Sequence, residues 1–482
     1  MSQEIRNLEP KALWNKFADL NAVPRPSKKE ERVIEFIKNF GNNLGLETFE
    51  DEIRNVIIRK TATPGMENRK ALVLQGHLDM VHQKNSDTIF DFDKQGIDMY
   101  VDGDWVRARG TTLGADNGLG VAAIMAILES TAIPHPAIDA LFTIDEETGM
   151  TGAMQLEMGI LKGTILLNLD TEDDDEFSIG CAGGIDTNTR YDYAETAISS
   201  GSQTYNIIVN GLNGGHSGVQ INEELGNANK IMNRLMYDCE VFNLQIVSVN
   251  GGSLRNAIPR ESFATISVNP AYLDEFNTRA NDIKAEFTIQ DANLNIQIEA
   301  TTQASKAMSL EDTKKVTTTI YGVHNGVFRY SRAIPGLVET SSSFARVIIK
   351  DGSFITQSLQ RSSLESGKYD VAYTVAAPFR LMGCTIEQGG SYPGWAPNPT
   401  SPILDVLEAK YQELFGDKPK VMAIHAGLEC GLLGERVPGL DMISFGPTIK
   451  GAHSPDERCS ISSTAKFWKF LMVILANIPS KA

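Results

Sequence analysis

Three short apolar runs within the first 170 residues, KALVLQGH, ALFTIDEE and TILLNLD, each stop on a histidine or an acid. A long helix-like stretch, GLGVAAIMAILES, separates the first from the second. Runs of this length and composition read as buried strands, and strands that alternate with helices imply an α/β sheet. NVIIRK adds a strand before them, and EPKALWNKFADLNAV and KKEERVIEFIKNFGNNLGL supply two helices at the front. Val33, Phe36, Ile37, Phe40 and Leu44 line one face of the second helix, and Ser27 is placed to cap it.

After CAGGIDTN the pattern changes. Strand-like stretches (SQTYNIIVNGL, FATISVN, ARVIIKDGSF, YDVAYTVAA) mix with helical ones (NANKIMNRLMYD, AYLDEFNTRANDIKAEF), which is α+β patterning. From about Pro402 the earlier style resumes, through the helix SPILDVLEAKYQELFG, the strands VMAIHAG and DMISFGP, and a last helix from about Ser463. The Gly/Pro-rich GGSYPGWAPNPTSP reads as the return linker. A chain of 482 residues exceeds the ~250–300 at which single cores stop growing. The expectation is therefore a discontinuous first domain, 1–187 and 396–482, with 188–395 inserted into it.

A formal charge of -17 argues against a nucleic-acid partner, which would call for a basic patch. The start, MSQEIRNLEP, has no apolar leader, and FWKFLMVILANI is too short to span a bilayer, so it reads as a buried helix. A cytoplasmic location without membrane attachment is expected. The five cysteines are scattered and lack CxxC spacing, so reduced, mostly buried thiols are expected rather than a disulfide framework or zinc ribbon.

The strand-ending residues carry the chemistry. In an extended chain the period of two puts His77 and Asp79 on one side, where a carboxylate can fix a metal-bound imidazole. Asp116 sits in RGTTLGADNGLG, just before the long apolar helix, where it could bridge two cations or simply cap the helix with Asn117. GLG there is half a dinucleotide fingerprint and lacks its strand. Asp145, Glu146 and Glu147 end another strand. A division of labour, Glu146 as base and Glu147 as ligand, competes with a solvated acidic turn. Asp170 ends the third run, while Glu172 to Glu176 read as a solvated charge run without chemistry. His453 lies in a Gly/Pro loop before the last helix; alone it reads as structural, and His82 and His216 read as loop histidines. Two cations about 3.5 Å apart can share a hydroxide and polarise a scissile carbonyl, which is what such a set would serve.

LQGHLDMV, RGTTLGADNGLG, DEETGMTGA, NLDTED, GCAGGID, NGLNGGHSG, GNANK, GGSLRNAIPRE, YPGW, IHAGLECGL and GPTIKGAHSPDE together make a near full-length resemblance. They resemble the bacterial aminoacyl-histidine dipeptidases of the M20 metallopeptidase family. The resemblance implies a zinc-peptidase-like catalytic domain, a central mixed sheet flanked by helices, with an inserted α+β lid. It implies two zinc ions per chain, with cobalt or manganese as substitutes. Asp116 would bridge them, His77 and Asp170 would hold one, and Glu147 and His453 the other. It further implies that Asp79 orients His77, that Glu146 is the general base, and that the lid's His216 stabilises the oxyanion. Asn256, Arg361 and Gly427 become substrate contacts, with Arg255 and Arg260 as lesser candidates. Asp170, where relatives acting on acylated or C-terminal substrates tend to carry Glu, favours peptides with a free amine. The expected activity is hydrolysis of dipeptides, Xaa-His and β-Ala-His among them, by a homodimer joined through the lid. The alternatives are an N-acyl amino acid deacylase and a non-catalytic peptide-binding relative.

Overall fold

The computed structural model describes residues 3–481, and the chain divides into two compact units. The first comprises the chain up to Gly180, Pro397–Ala423 and the stretch from Leu428 onward; the second comprises Cys181–Ala396 with Ile424–Gly427.

In the first unit an eight-stranded sheet has the order Glu47–Glu50, Val56–Lys60, Ile138–Thr143, Leu72–His77, Ile165–Asn168, Asp441–Ser444, Glu176–Cys181, Lys420–Ile424. From Ile138–Thr143 to Asp441–Ser444 the strands are parallel, and the pair at 47–60 is antiparallel. Every residue of Leu72–His77, Ile138–Thr143 and Ile165–Asn168 is buried, which is why these strands read as unbroken apolar runs. Because they are parallel, the loops after His77, Thr143 and Asn168 open at the same sheet edge, where sites in such sheets are built.

The helix Ala115–Glu129 is apolar on all sides, and it packs on Leu72–His77 and on the helix Lys11–Leu20. The last helix, Ile461–Ala476, starts at Ser460, whose hydroxyl accepts from the Ser463 N–H, and buries Phe467, Phe470 and Ile474. Phe470 stacks on Phe177 with ring centroids 5.4 Å apart. No described helix is long and apolar enough to cross a membrane. The helix Glu31–Asn43 buries Val33, Ile34 and Ile37. Its cap position is Glu30, without a side-chain cap, because the Ser27 hydroxyl instead donates to the Met80 carbonyl at 3.2 Å.

The second unit is built on a nine-stranded antiparallel sheet in which eight strands form two like halves and the ninth, Gly326–Tyr330, pairs with Val338–Lys350. Each half is a β-α-β-β-α-β unit. The first half contains Gln203–Asn210, helix Ala228–Met236, Gln245–Gly251, Ser262–Val268, helix Leu273–Glu286 and Asn295–Ala300. The second contains Gly183–Asp192, helix Leu310–Gly322, Val338–Lys350, Ser353–Ser362, helix Glu365–Met382 and Thr385–Tyr392. Their second strands pair antiparallel, Val249 opposite Ile349 and Gly251 opposite Val347, so one sheet runs through both halves. One hydrophobic core lies beneath it, from Ile207 and Phe242 to Phe344, Phe354 and Phe379.

Two readings of the sequence change here. ARVIIKDGSF is a hairpin rather than one strand, turning at Asp351 and Gly352 with φ 49° and 75°, the positive pair a two-residue type I′ loop requires. YDVAYTVAA is helical, within Glu365–Met382. Val371, Ala372, Val375, Ala376 and Phe379 are buried along one face, so a three-four spacing outweighs the local alternation of Val371, Tyr373 and Val375.

Candidate metal centre

Five side chains gather where the parallel strands of the first unit end. His77 is the last residue of its strand, Glu147 follows a turn in which Asp145 has φ 55°, and Asp170 lies just past Ile165–Asn168. Asp116 stands at the head of the helix Ala115–Glu129, and His453, at φ 63°, comes from the loop before the final helix.

Their ligand atoms fall into two triads, His77 with Asp116 and Asp170, and His453 with Asp116 and Glu147, each within 4.8 Å. Asp116 belongs to both. Its Oδ1 lies 3.1 Å from His77 Nε2 and its Oδ2 3.2 Å from His453 Nε2. Asp170 Oδ1 is 3.5 Å from His77 Nε2, and Glu147 Oε2 is 2.9 Å from His453 Nε2.

The donor set is two imidazoles and three carboxylates, the nitrogen and oxygen ligands that suit zinc and its divalent neighbours. Glu147 Oε1 and Asp170 Oδ1 are buried and accept no hydrogen bond, which is costly for a carboxylate unless a cation meets it. The electrostatics make the same demand. Burial opposes charge on His77, yet Asp170, Asp116 and Asp79 raise its pKa well above the ordinary value. Hydrogen bonds to Asp116 and Glu147 raise that of His453 to about 11. The residues fit a pair of divalent cations.

Asp79, fully buried, lies behind His77. Its carbonyl is 3.2 Å and its Oδ1 3.4 Å from His77 Nδ1, which leaves Nε2 facing Asp116. Oδ1 and Oδ2 of Asp79 also accept the N–H groups of Glu146 and Glu147 at 3.0 and 3.3 Å, so one carboxylate fixes the imidazole and the acidic turn together. Asp145 does not share the centre; it binds Lys28, Thr148 and Thr151. Burial pushes the Glu146 carboxyl well above the usual range, with His77 opposing and Asp170, Glu429 and Glu147 adding to it. A carboxyl so placed can hold a proton at neutral pH.

His216, Asn256, Arg361 and Gly427 belong to the second unit. His216 Nδ1 accepts the N–H groups of Gly218 and Val219 at 3.2 and 3.0 Å, so the neutral ring carries its proton on Nε2. Burial and the nearby Arg361 lower its pKa, favouring that neutral form. Arg361 is 4% exposed and donates from Nη1 to the Tyr392 hydroxyl at 2.9 Å. A Cβ at Gly218 would lie 3.0 Å from Arg361 Nε and 2.1 Å from the His425 carbonyl, so the GGHSG loop, Arg361 and His425 pack against one another. Asn256 is exposed, and its carbonyl accepts from the Ser217 N–H. Gly427 is half-buried at the end of the Ile424–Gly427 segment. Arg255 is tied to Asp186, and Arg260 is exposed.

The charge run also changes meaning. Asp173, Asp174 and Asp175 pair with Lys450, Lys466 and Lys420, and Glu172 faces inward, where burial, then Asp116 and Asp170, push its pKa up to about 8. Three buried groups escaped the sequence reading. Glu429 Oε2 accepts from Gln75 Nε2 at 2.6 Å and Thr143 Oγ1 at 2.7 Å, and burial, opposed by His77 and Thr143, pushes its pKa up to about 8. Glu457 and Arg25 grip the backbone of the Asp116 loop. The signal for Glu457 was its place four residues after His453; Arg25 and Glu429 had none.

The chain is similar to known peptidases over nearly its whole length. Residues 73–477 match Peptidase family M20/M25/M40. The chain is 41% identical to the cytosol non-specific dipeptidase of Escherichia coli (strain K12), over 99% of this chain and all of the relative. The crystal structure of aminoacylhistidine dipeptidase from Vibrio alginolyticus superposes with a TM-score of 0.94 at 42% identity, covering 100% of this chain and 99% of that one. A tripeptidase from Staphylococcus aureus shares the fold, with a TM-score of 0.56 at 15% identity over 98% of this chain and 99% of that one. A family match spanning most of the chain, over a sheet edge that gathers two triads around one aspartate, makes this chain a member of peptidase family M20/M25/M40.

Proposed function

We propose that the chain is a cytoplasmic two-zinc dipeptidase acting on short peptides with a free amine, Xaa-His and β-Ala-His among them. The observation that carries the reading is Asp116, shared between two ligand triads with Glu146 beside them. The full-length relatives at 41% and 42% identity, both dipeptidases by name, support the substrate class. When bound, two divalent cations supply a Lewis acid for the scissile carbonyl and a water acidified towards neutrality.

The chain's own residues do the rest. Glu146 takes the proton of the attacking water and delivers it to the leaving nitrogen. Asp79 holds the Glu146 backbone and the His77 ring in register. Because Nδ1 of His216 is occupied as an acceptor, its Nε2–H is the donor assigned to the developing oxyanion. Arg361 is assigned the peptide's terminal carboxylate, Asn256 and Gly427 further contacts to its backbone, and Asp170 the free amine.

Metal analysis of purified protein alongside a panel of β-Ala-His, other dipeptides and N-acetyl amino acids tests the proposal. Two metals per chain and cleavage of dipeptides are expected. Fewer than two metals per active chain, or preference for the acylated amino acids, refutes it. A homodimer through the second unit is the assembly assigned. Its sheet already joins its two halves through Gln245–Gly251 and Val338–Lys350, so a second copy would add at an end strand, Asn295–Ala300 or Thr385–Tyr392. A single-chain mass by light scattering refutes the dimer.

A further inference from the structure

We infer that Glu457 is a positioning residue for the metal bridge, its carboxylate holding the backbone from Leu113 to Asp116 so that the Asp116 side chain spans both cations. Arg25 holds the same loop from its carbonyl side. The inference rests on the two-metal reading above.

Glu457 is 2% exposed, and it takes four consecutive amides. Its Oε2 accepts from Leu113 N at 2.7 Å and Gly114 N at 3.0 Å, and its Oε1 from Ala115 N at 2.7 Å and Asp116 N at 3.3 Å. Asp116 (φ -81°, ψ 112°) and Asn117 (φ -99°, ψ 30°) are not helical, so these amides lie on the turn ahead of the helix proper, where consecutive N–H groups form a concavity that holds an anion. A carboxylate there is strongly favoured, and it fixes the chain where Asp116 must face both histidines.

Arg25, 1% exposed, does the complementary work. It donates from Nη1 to the carbonyls of Leu78 and Asp79, both at 3.1 Å, and from Nη2 to the Gly114 carbonyl at 2.5 Å. The Asp79 carbonyl is the one facing His77 Nδ1, so one guanidinium ties the His77 strand end to the Asp116 loop. Its bulk also explains the sequence of the loop. A Cβ would come within 2.6 Å of Nη2 at Gly114 and 2.7 Å at Gly118, and Gly114 has φ 69° besides.

Only three residues separate Glu457 from His453, so one short segment brings in both a ligand and the clamp on its bridging partner. Neither group touches the reacting atoms in this account; each acts through Asp116 and His77.

Glu457→Gln tests it. The substitution keeps the shape but turns one oxygen into an NH2 that faces amide donors, so half of the grip is lost. Zinc affinity, measured by competition with a chromogenic chelator, should fall about tenfold to a hundredfold, as for other groups that orient ligands. Excess metal should restore kcat with KM unchanged, and Glu457→Asp should recover part of the affinity. Circular dichroism checks folding. If wild type holds fewer than two metals, the two-metal reading fails. If wild type holds two and folded Glu457→Gln binds them within about twofold of the same affinity, this inference alone is overturned. Should Glu457→Gln fail to fold, Glu457→Asp is read by the same measure, and unchanged affinity there overturns it too.

Discussion

Replacing His425 with glutamine should flatten the acid side of the stability profile. His425 is 6% exposed, its Nε2 lies 2.7 Å from the Ser341 hydroxyl, and burial, with Arg361 and His216 adding and the Val338 backbone opposing, holds its pKa at about 3 against an ordinary 6.5. The unfolded chain therefore binds a proton that the folded chain refuses. Its contribution to stability is fully present above pH 6.5 and is lost as the pH falls towards 3. The slope approaches ~1.4 kcal/mol per pH unit, and the integrated loss is about 2.5 kcal/mol between pH 7 and 4.5. Glutamine can keep the Ser341 hydrogen bond and has no proton to take up. Urea unfolding of metal-stripped wild type and His425→Gln, at pH 7 and 4.5, isolates this one group because every other titration is shared. Wild type should lose about 2–3 kcal/mol more than the variant on acidification. Equal losses would refute the claim that the ring is buried neutral.

Glu146→Gln should lower kcat about a hundredfold to ten-thousandfold with both metals retained, read by steady-state kinetics beside metal analysis. Asp79→Asn removes one acceptor from the Glu146 and Glu147 amides, a hydrogen bond to a charged group worth about 1.5–3 kcal/mol, so kcat/KM should fall about tenfold to a hundredfold. Arg361→Lys should raise KM for dipeptides but leave it unchanged for the same peptides amidated at the C-terminus, since a lysine cannot grip a carboxylate in bidentate fashion. Phe470→Ala, emptying the stack on Phe177, should cost about 3–5 kcal/mol in chemical unfolding.

The parts of the centre that the sequence made legible are those whose position follows from chain direction. His77 ends a parallel strand and Glu147 and Asp170 lie shortly after two others, so recognising the strands was enough to bring them to one edge. His453 and Asp116 required knowing which loops return to that edge, and there the resemblance supplied what periodicity could not. Arg25 was illegible for a different reason, and Glu457 had only its nearness to His453 to point to it. They bind backbone amides and carbonyls, and a backbone partner leaves no side-chain pattern along the sequence. The helix Glu365–Met382 was obscured because valine and tyrosine spaced two apart satisfy a strand as well as a helix, and only the packed face decides between them. Ile424–Gly427 belongs to the second unit although the residues on both sides belong to the first, a crossing that no compositional shift announces.

The centre is also an electrostatic argument about folding. Asp79, Asp116, Glu146, Glu147, Asp170, Glu172, Glu429 and Glu457 converge with Arg25, His77 and His453. Charge on all of those carboxylates at once is not sustainable in a buried volume, and the chain divides the burden. Hydrogen bonds hold Asp79 and Asp116 below their ordinary range despite burial, while burial drives Glu146, Glu172, Glu429 and Glu457 above theirs. The ionised members are thus the bridge and the group behind His77, and the protonated tendency falls on Glu146, Glu172 and Glu429, while the backbone amides of the Asp116 loop oppose it at Glu457. Asp116, His77, Asp170, Glu147 and His453 would hold divalent cations whose positive charge would favour the ionised carboxylates, so occupancy of the centre and stability of the first unit would be one equilibrium rather than two.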